Sequence, residues 1–195
     1  MGVVRGLLVP FGLWNDWALA AARVIALAAL GAMVVVILTQ VFFRYVLNDA
    51  LPWPDEAARF LMLWMTGLAA PTAFRHGGFV AIDMVRTLLP ATVAGVLNLI
   101  LLAMSLTVLL VGAQLGWTHV NSGWLFNSSS LRLPLDMVGG EPVRIKLAWM
   151  YLSLFTGMVL LTVVNVELIL REVLCLAGEA ARLPSYARSD VPEAE

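Results

Sequence analysis

Between Arg23 and Arg44 the chain runs through residues 24–43 without one charged side chain. Wound as an α-helix at 1.5 Å per residue, this run reaches roughly 30 Å, one hydrocarbon thickness. Three more uncharged runs follow, at residues 60–74, 87–118 and 147–166. The bilayer must therefore serve as part of the solvent. Composition agrees: 61% of the 195 residues are hydrophobic and 13% are charged, against roughly 25% charged in a soluble domain.

The expected fold is an all-α integral membrane protein with four transmembrane helices and short interfacial helical segments. The expected spans lie at about 20–43, 54–74, 90–118 and 147–167 within one membrane domain, 1–182, followed by a disordered tail at 183–195. Residues 2–22 mix Trp14 and Trp17 with Asn15 and Asp16 and read as an interfacial lead-in, retained rather than cleaved. The second span is expected to start at Pro54, because proline suits a first helical turn. Asp55 and Glu56 then fall in the first turn, where the helix dipole favours acids, with Arg59 on the same face. Trp53 is placed as an interfacial anchor, and Trp149 and Tyr151 as a belt on the fourth span. A short interfacial turn of helix is expected over 79–89, after Gly77 and Gly78. Residues 119–146 read as a long polar connection, and Glu167 and Arg171 as an i,i+4 pair continuing the last helix.

Four spans put both termini on one side. Seven cations, Arg5, Arg23, Arg75, Arg86, Arg171, Arg182 and Arg188, accompany the termini, against five, Arg44, Arg59, Arg132, Arg144 and Lys146, opposite. That bias favours cytoplasmic termini.

The ionisable groups gather at span boundaries, whereas a secondary transporter normally places such groups midway across the bilayer. The polar residues inside the runs, such as Thr39, Gln40, Asn98, Ser105 and Thr156, suit helix packing. Metalloprotease, nucleophile-elbow and phosphate-loop motifs are missing, and His76 and His119 fall on opposite sides, so no enzyme is expected. A net charge of -1 gives no reason to expect nucleic acid, and the single cysteine, Cys175, reads as a small apolar residue. The densest constellation is Arg44, Asp49, Trp53, Asp55, Glu56 and Arg59, which reads either as a capped helix start or as a protein-contact surface.

Phe43-Arg44-Tyr45-Val46-Leu47-Asn48, then Trp53-Pro54-Asp55-Glu56-Ala57-Ala58-Arg59, then Gly67, Ala69, Ala70, Arg75-His76-Gly77-Gly78, Val80, Asp83 and Pro90, resembles the small permease subunit of TRAP (tripartite ATP-independent periplasmic) transporters, the DctQ-like family. The resemblance covers about residues 41–90; the later spans match in hydropathy and number. Phe79 departs from the family pattern, and the 119–146 connection is long for it.

The resemblance implies a non-catalytic scaffold in the bacterial inner membrane, surrounded by membrane lipids. Its implied partners are a large permease subunit, which carries substrate and sodium sites, and a periplasmic solute-binding protein. Together they would import an organic acid such as a carboxylate by sodium symport; no cofactor is expected in this chain. On that reading Trp53, Asp55, Glu56 and Arg59 lie near the docked binding protein, and Arg44 and Tyr45 anchor the outer end of the first span. Arg75, Gly77, Gly78 and Asp83 would shape the cytoplasmic turn. The alternative is a membrane anchor or assembly subunit of another complex.

Overall fold

A computed structural model describes residues 2–76, 89–133 and 143–178. Gly77, Gly78 and Asp83, most of the expected interfacial turn, and the expected disordered tail lie outside the described residues. The described residues form four helices and one two-stranded hairpin. The chain is an all-α membrane protein apart from that hairpin.

Helix α1 runs unbroken from Gly2 to Tyr45, 44 residues, or about 66 Å. The expected lead-in is thus part of the first helix rather than a separate interfacial segment. Pro10 lies in the third turn and supplies no amide to the carbonyl of Gly6, yet the helix continues through it. Asn15 does not compete for the local backbone, because its side chain bonds to another helix. Along α1, among the residues whose burial is described, the buried ones are Gly12, Asn15, Leu19, Ala22, Ala26 and Ala29. Their alternating steps of three and four residues trace a narrow seam of the kind that faces a single partner helix. Small residues on this seam let backbones approach closely.

Helix α2, Pro54–Arg75, starts on Pro54 and returns along that seam. Ala22, Ala26 and Leu68 form a buried cluster, against which Trp64, Met65 and Leu160 pack. Helix α3, Ala91–Gly123, follows Pro90. Helix α4, Ala148–Leu176, packs on all three other helices and most extensively on α3. It is the central helix, and its buried residues include Ser153, Gly157, Val164, Asn165, Glu167 and Leu174.

Three of the helices contain segments long and apolar enough to cross a membrane: Pro10–Tyr45, Thr92–Gly123 and Ala148–Leu176. α2 carries Asp55, Glu56, Arg59 and Arg75 at its ends and is not one of the three.

Two contacts fix how the helices meet. At the α2–α4 crossing, a Cβ on Gly67 would stand 2.6 Å from the Ser153 carbonyl oxygen, and one on Gly157 would stand 2.8 Å from that of Gly67. Backbone touches backbone there, so both positions require glycine. Between α3 and α4, the fully buried Asn165 amide donates to the Leu102 carbonyl at 3.2 Å and accepts from the Ser105 hydroxyl at 3.1 Å.

The polar connection holds an antiparallel hairpin, β1 (Asn127–Leu133) with β2 (Val143–Lys146). Sequence reading expected only a polar loop here. The alternation of apolar and basic residues in Val143-Arg144-Ile145-Lys146 is the period-two signal of a strand, hidden by the surrounding serine, asparagine and glycine. The register pairs Asn127 with Lys146 and Arg132 with Arg144. Residues 128–131 of β1 therefore face only Ile145 of β2, which makes a wide bulge.

Candidate functional site

Charged and polar side chains gather at the two ends of the bundle. At the end nearer the termini the centre is Glu167, on α4 and fully buried. Its Oε2 accepts from Asn15 Nδ2 of α1 at 2.6 Å. Its Oε1 accepts from Arg75 Nη2 of α2 at 3.1 Å and from Arg171 Nε of α4 at 3.1 Å. Arg75 also pairs through Nη1 with Asp16 of α1. Among the described residues, two carboxylates thus meet two guanidinium groups.

A buried carboxylate is costly unless paired and hydrogen-bonded. Here three side chains from three helices donate to Glu167, so the cluster ties α1, α2 and α4 together. Arg75, expected to shape a turn, is drawn inward to serve this tie; its side chain is only 5% exposed. Glu172 follows Arg171 directly near the end of α4, and Asn98 Nδ2 of α3 donates to Glu172 Oε2 at 2.9 Å. All four helices are therefore linked to one another by polar contacts near this end.

At the hairpin end, Glu56 in the first turn of α2 reaches the β1 bulge. Its carboxylate accepts from the backbone N–H groups of Ser129 at 3.3 Å, Ser130 at 2.7 Å and Leu131 at 3.2 Å, and from the Ser130 hydroxyl. The bulge explains this contact: those amides have no register partner on β2, and an unpaired amide seeks an acceptor. Glu56 lies ahead of the uncharged run that begins at Phe60. Partial burial pushes its carboxyl up, but hydrogen bonds from the Ser128 and Ser130 hydroxyls and from the Ser130 and Leu131 amides outweigh burial and lower it from 4.5 to about 2. Glu56 is thus engaged within its own chain, holding the hairpin to α2.

The other expected site residues are not drawn into one cluster. Asp55 and Arg59 are exposed, and among the described residues Arg59 pairs with neither Asp55 nor Glu56. Arg44, in the last turn of α1, lies over the exposed Tyr45 ring at 5.9 Å. Trp53 stands just before α2 and is partly exposed. His76 and His119 each bond through Nδ1 to a carbonyl one turn back, those of Thr72 and Leu115, and sit at opposite ends of the bundle.

Sequence reasoning missed Asn15, Asp16 and Glu167 as one group. The available signal was polarity on a seam: Asn15 falls on the same three-and-four spacing as Leu19 and Ala22. It also missed Ser128, Ser129 and Ser130 as the receiver of Glu56.

Chemically, both clusters direct their charged groups to contacts within the chain, while the buried Asn15 Oδ1 takes no hydrogen bond among the described residues. Among the described residues no group of three or more His, Cys, Asp or Glu side chains is placed to hold a metal ion. Much of α1 and α3 is by contrast apolar and exposed, including Val24, Leu27, Val35, Leu38, Val108 and Val111. The arrangement is suited to holding helices in place and presenting apolar faces.

The family model described as "Tripartite ATP-independent periplasmic transporters, DctQ component" matches residues 33–175. That match reaches well past residues 41–90, through α3, the hairpin and nearly all of α4. No curated protein matches the chain.

Proposed function

The chain belongs to the DctQ family and is a small permease subunit of a TRAP transporter; on that premise we propose that it is the fixed scaffold for a large permease subunit that carries the solute and sodium sites. The observation that carries the proposal is the use of its buried charge: Glu167, Arg75 and Arg171, joined by the exposed Asp16, are committed to holding helices together. A carrier keeps polar groups for its cargo near the bilayer midplane. Here the polar contact inside the bundle, Asn165 with Leu102 and Ser105, joins α3 to α4.

On this proposal α2 also crosses the bilayer, which gives four spans. The family match supports this, as does the packing of α2 between α1 and α4. Both termini face the cytoplasm, the membrane is the bacterial inner membrane, and the hairpin faces the periplasm. A periplasmic solute-binding protein delivers an organic acid such as a carboxylate to the assembly, near Trp53, Asp55 and Arg59. Import is sodium symport, with sodium bound by the large partner.

Purification of the tagged chain in a mild detergent tests the proposal. A large polytopic permease should co-purify, and deletion of the small subunit should abolish uptake of the organic acid and its sodium dependence. A different stable partner, with normal uptake after deletion, would mean an anchor of another complex.

A further inference from the structure

The roots of the β hairpin bring together exposed aromatic side chains, the exposed Arg144 and the half-buried Lys146. Trp124 ends α3 and Trp149 opens α4; both are about half exposed, with rings edge to face at 6.3 Å. Leu125 and Phe126 follow Trp124 and are 79% and 59% exposed. The Leu147 N–H donates to the Phe126 carbonyl at 3.2 Å, which sets the end of β2, Lys146, beside this apolar group. Arg144 is exposed and lies two residues before Lys146, on the same face of the strand. The register then places Arg132 directly opposite Arg144.

The described strand residues, Asn127–Leu133 and Val143–Lys146, include three cations and no acid. The carboxylate that reaches the hairpin from α2, Glu56, is taken up by the bulge. Exposed tryptophans at the ends of membrane helices settle at headgroup level, and basic side chains beside them meet the lipid phosphates.

We propose that this face of the hairpin binds the headgroups of anionic phospholipids. Arg144 and Lys146 lie on the phosphates, and Trp124, Leu125, Phe126 and Trp149 seat among the upper acyl chains. The contact holds the hairpin down on the bilayer at the outer ends of α3 and α4, while Glu56 holds its other side to α2.

Native mass spectrometry of the full chain in a neutral detergent tests this, with phosphatidylglycerol and phosphatidylcholine of matched acyl chains as probes. The native chain should retain phosphatidylglycerol in preference to phosphatidylcholine. The double variant Arg144→Gln/Lys146→Gln should weaken phosphatidylglycerol binding by roughly fivefold for each charge removed and leave phosphatidylcholine unchanged. The charge-keeping variant Arg144→Lys/Lys146→Arg should restore the preference, which separates lost charge from lost folding. Arg59→Gln, at the same end but on α2, should leave the lipid preference unchanged. Equal binding of the two lipids, or an unchanged preference in the double variant, overturns the proposal. So does a double variant that keeps its lipid preference and loses binding of the solute-binding protein, since the cations would then serve a protein partner.

Discussion

Asn15 and Glu167 lie 152 positions apart in the chain, and their side chains meet in a buried hydrogen bond of 2.6 Å. The bond joins the first helix to the last. Because Glu167 also accepts from Arg75 and Arg171, removing it takes a carboxylate partner from two largely buried guanidinium groups.

Glu167→Ala should therefore destabilise the bundle by about 3–5 kcal/mol, the usual cost of breaking a buried ion pair from one side. Asn15→Leu should cost less, about 1.5–3 kcal/mol, because it removes one hydrogen bond to a charged group. Thermal unfolding in detergent, followed by the monodisperse fraction on size exclusion, measures both. Equal losses from the two variants would mean that Asn15 and the arginines do not converge on Glu167.

The Gly67–Gly157 crossing predicts a sharp positional contrast. Gly67→Ala places a carbon 2.6 Å from a backbone oxygen, so α2 must shift away from α4, at a cost of about 1–3 kcal/mol. Gly31→Ala meets nothing within 4 Å and should be neutral or stabilise α1 by roughly 0.5–1 kcal/mol. The same unfolding assay on both variants reads the difference. Similar behaviour would show that α2 and α4 are not in backbone contact.

Glu56 gives a dependence on pH. Its carboxyl falls from 4.5 to about 2 in the folded chain, so the hairpin clasp is favoured wherever the acid is ionised. Its contribution is complete above about pH 4.5 and is lost as pH falls toward 2. Hydrogen-exchange protection at Ser129, Ser130 and Leu131, corrected for intrinsic rates, should hold from neutral pH to about 4.5 and decline below it. Glu56→Gln should lower that protection from neutral pH to about 4.5 and flatten the curve, so that variant and native chain converge as pH falls toward 2. Unaltered protection in the variant would place the hairpin under other control.

Asn165→Ala should weaken the α3–α4 contact by about 0.6–1.7 kcal/mol, the range for hydrogen bonds between membrane helices. Ser105→Ala on top of it should cost almost nothing further, because the two share one bond. Additive losses in a double-mutant cycle would separate them.

Helices were legible in this sequence because charge is scarce in it. Arg23 and Arg44 bracket a run that only needed counting, and Pro54 opens α2, where proline's missing amide does no harm. The continuity of α1 through Trp14, Asn15 and Asp16 was not legible. Those residues resemble an interface until their partners on α2 and α4 are known. The seam of Ala22, Ala26 and Ala29 was hidden for another reason: in an apolar helix the face toward a neighbour and the face toward lipid have nearly the same hydropathy. Glu56 was visible as an acid in a first turn, but its receiver, a bulge in a serine-rich strand, depends on a register fixed far along the chain.

The polar ties at the two ends have a mechanical consequence. From Asp16, held by Arg75, to Arg44 at the far end, α1 rises through 28 residues, about 42 Å at 1.5 Å each. Pinned at its lower end to two other helices, α1 cannot slide to follow a thinner or thicker bilayer. The bundle is a strut of set height, and the lipid beside it must adjust instead. A neighbour that travels up and down would do so against a wall whose top and bottom stay put.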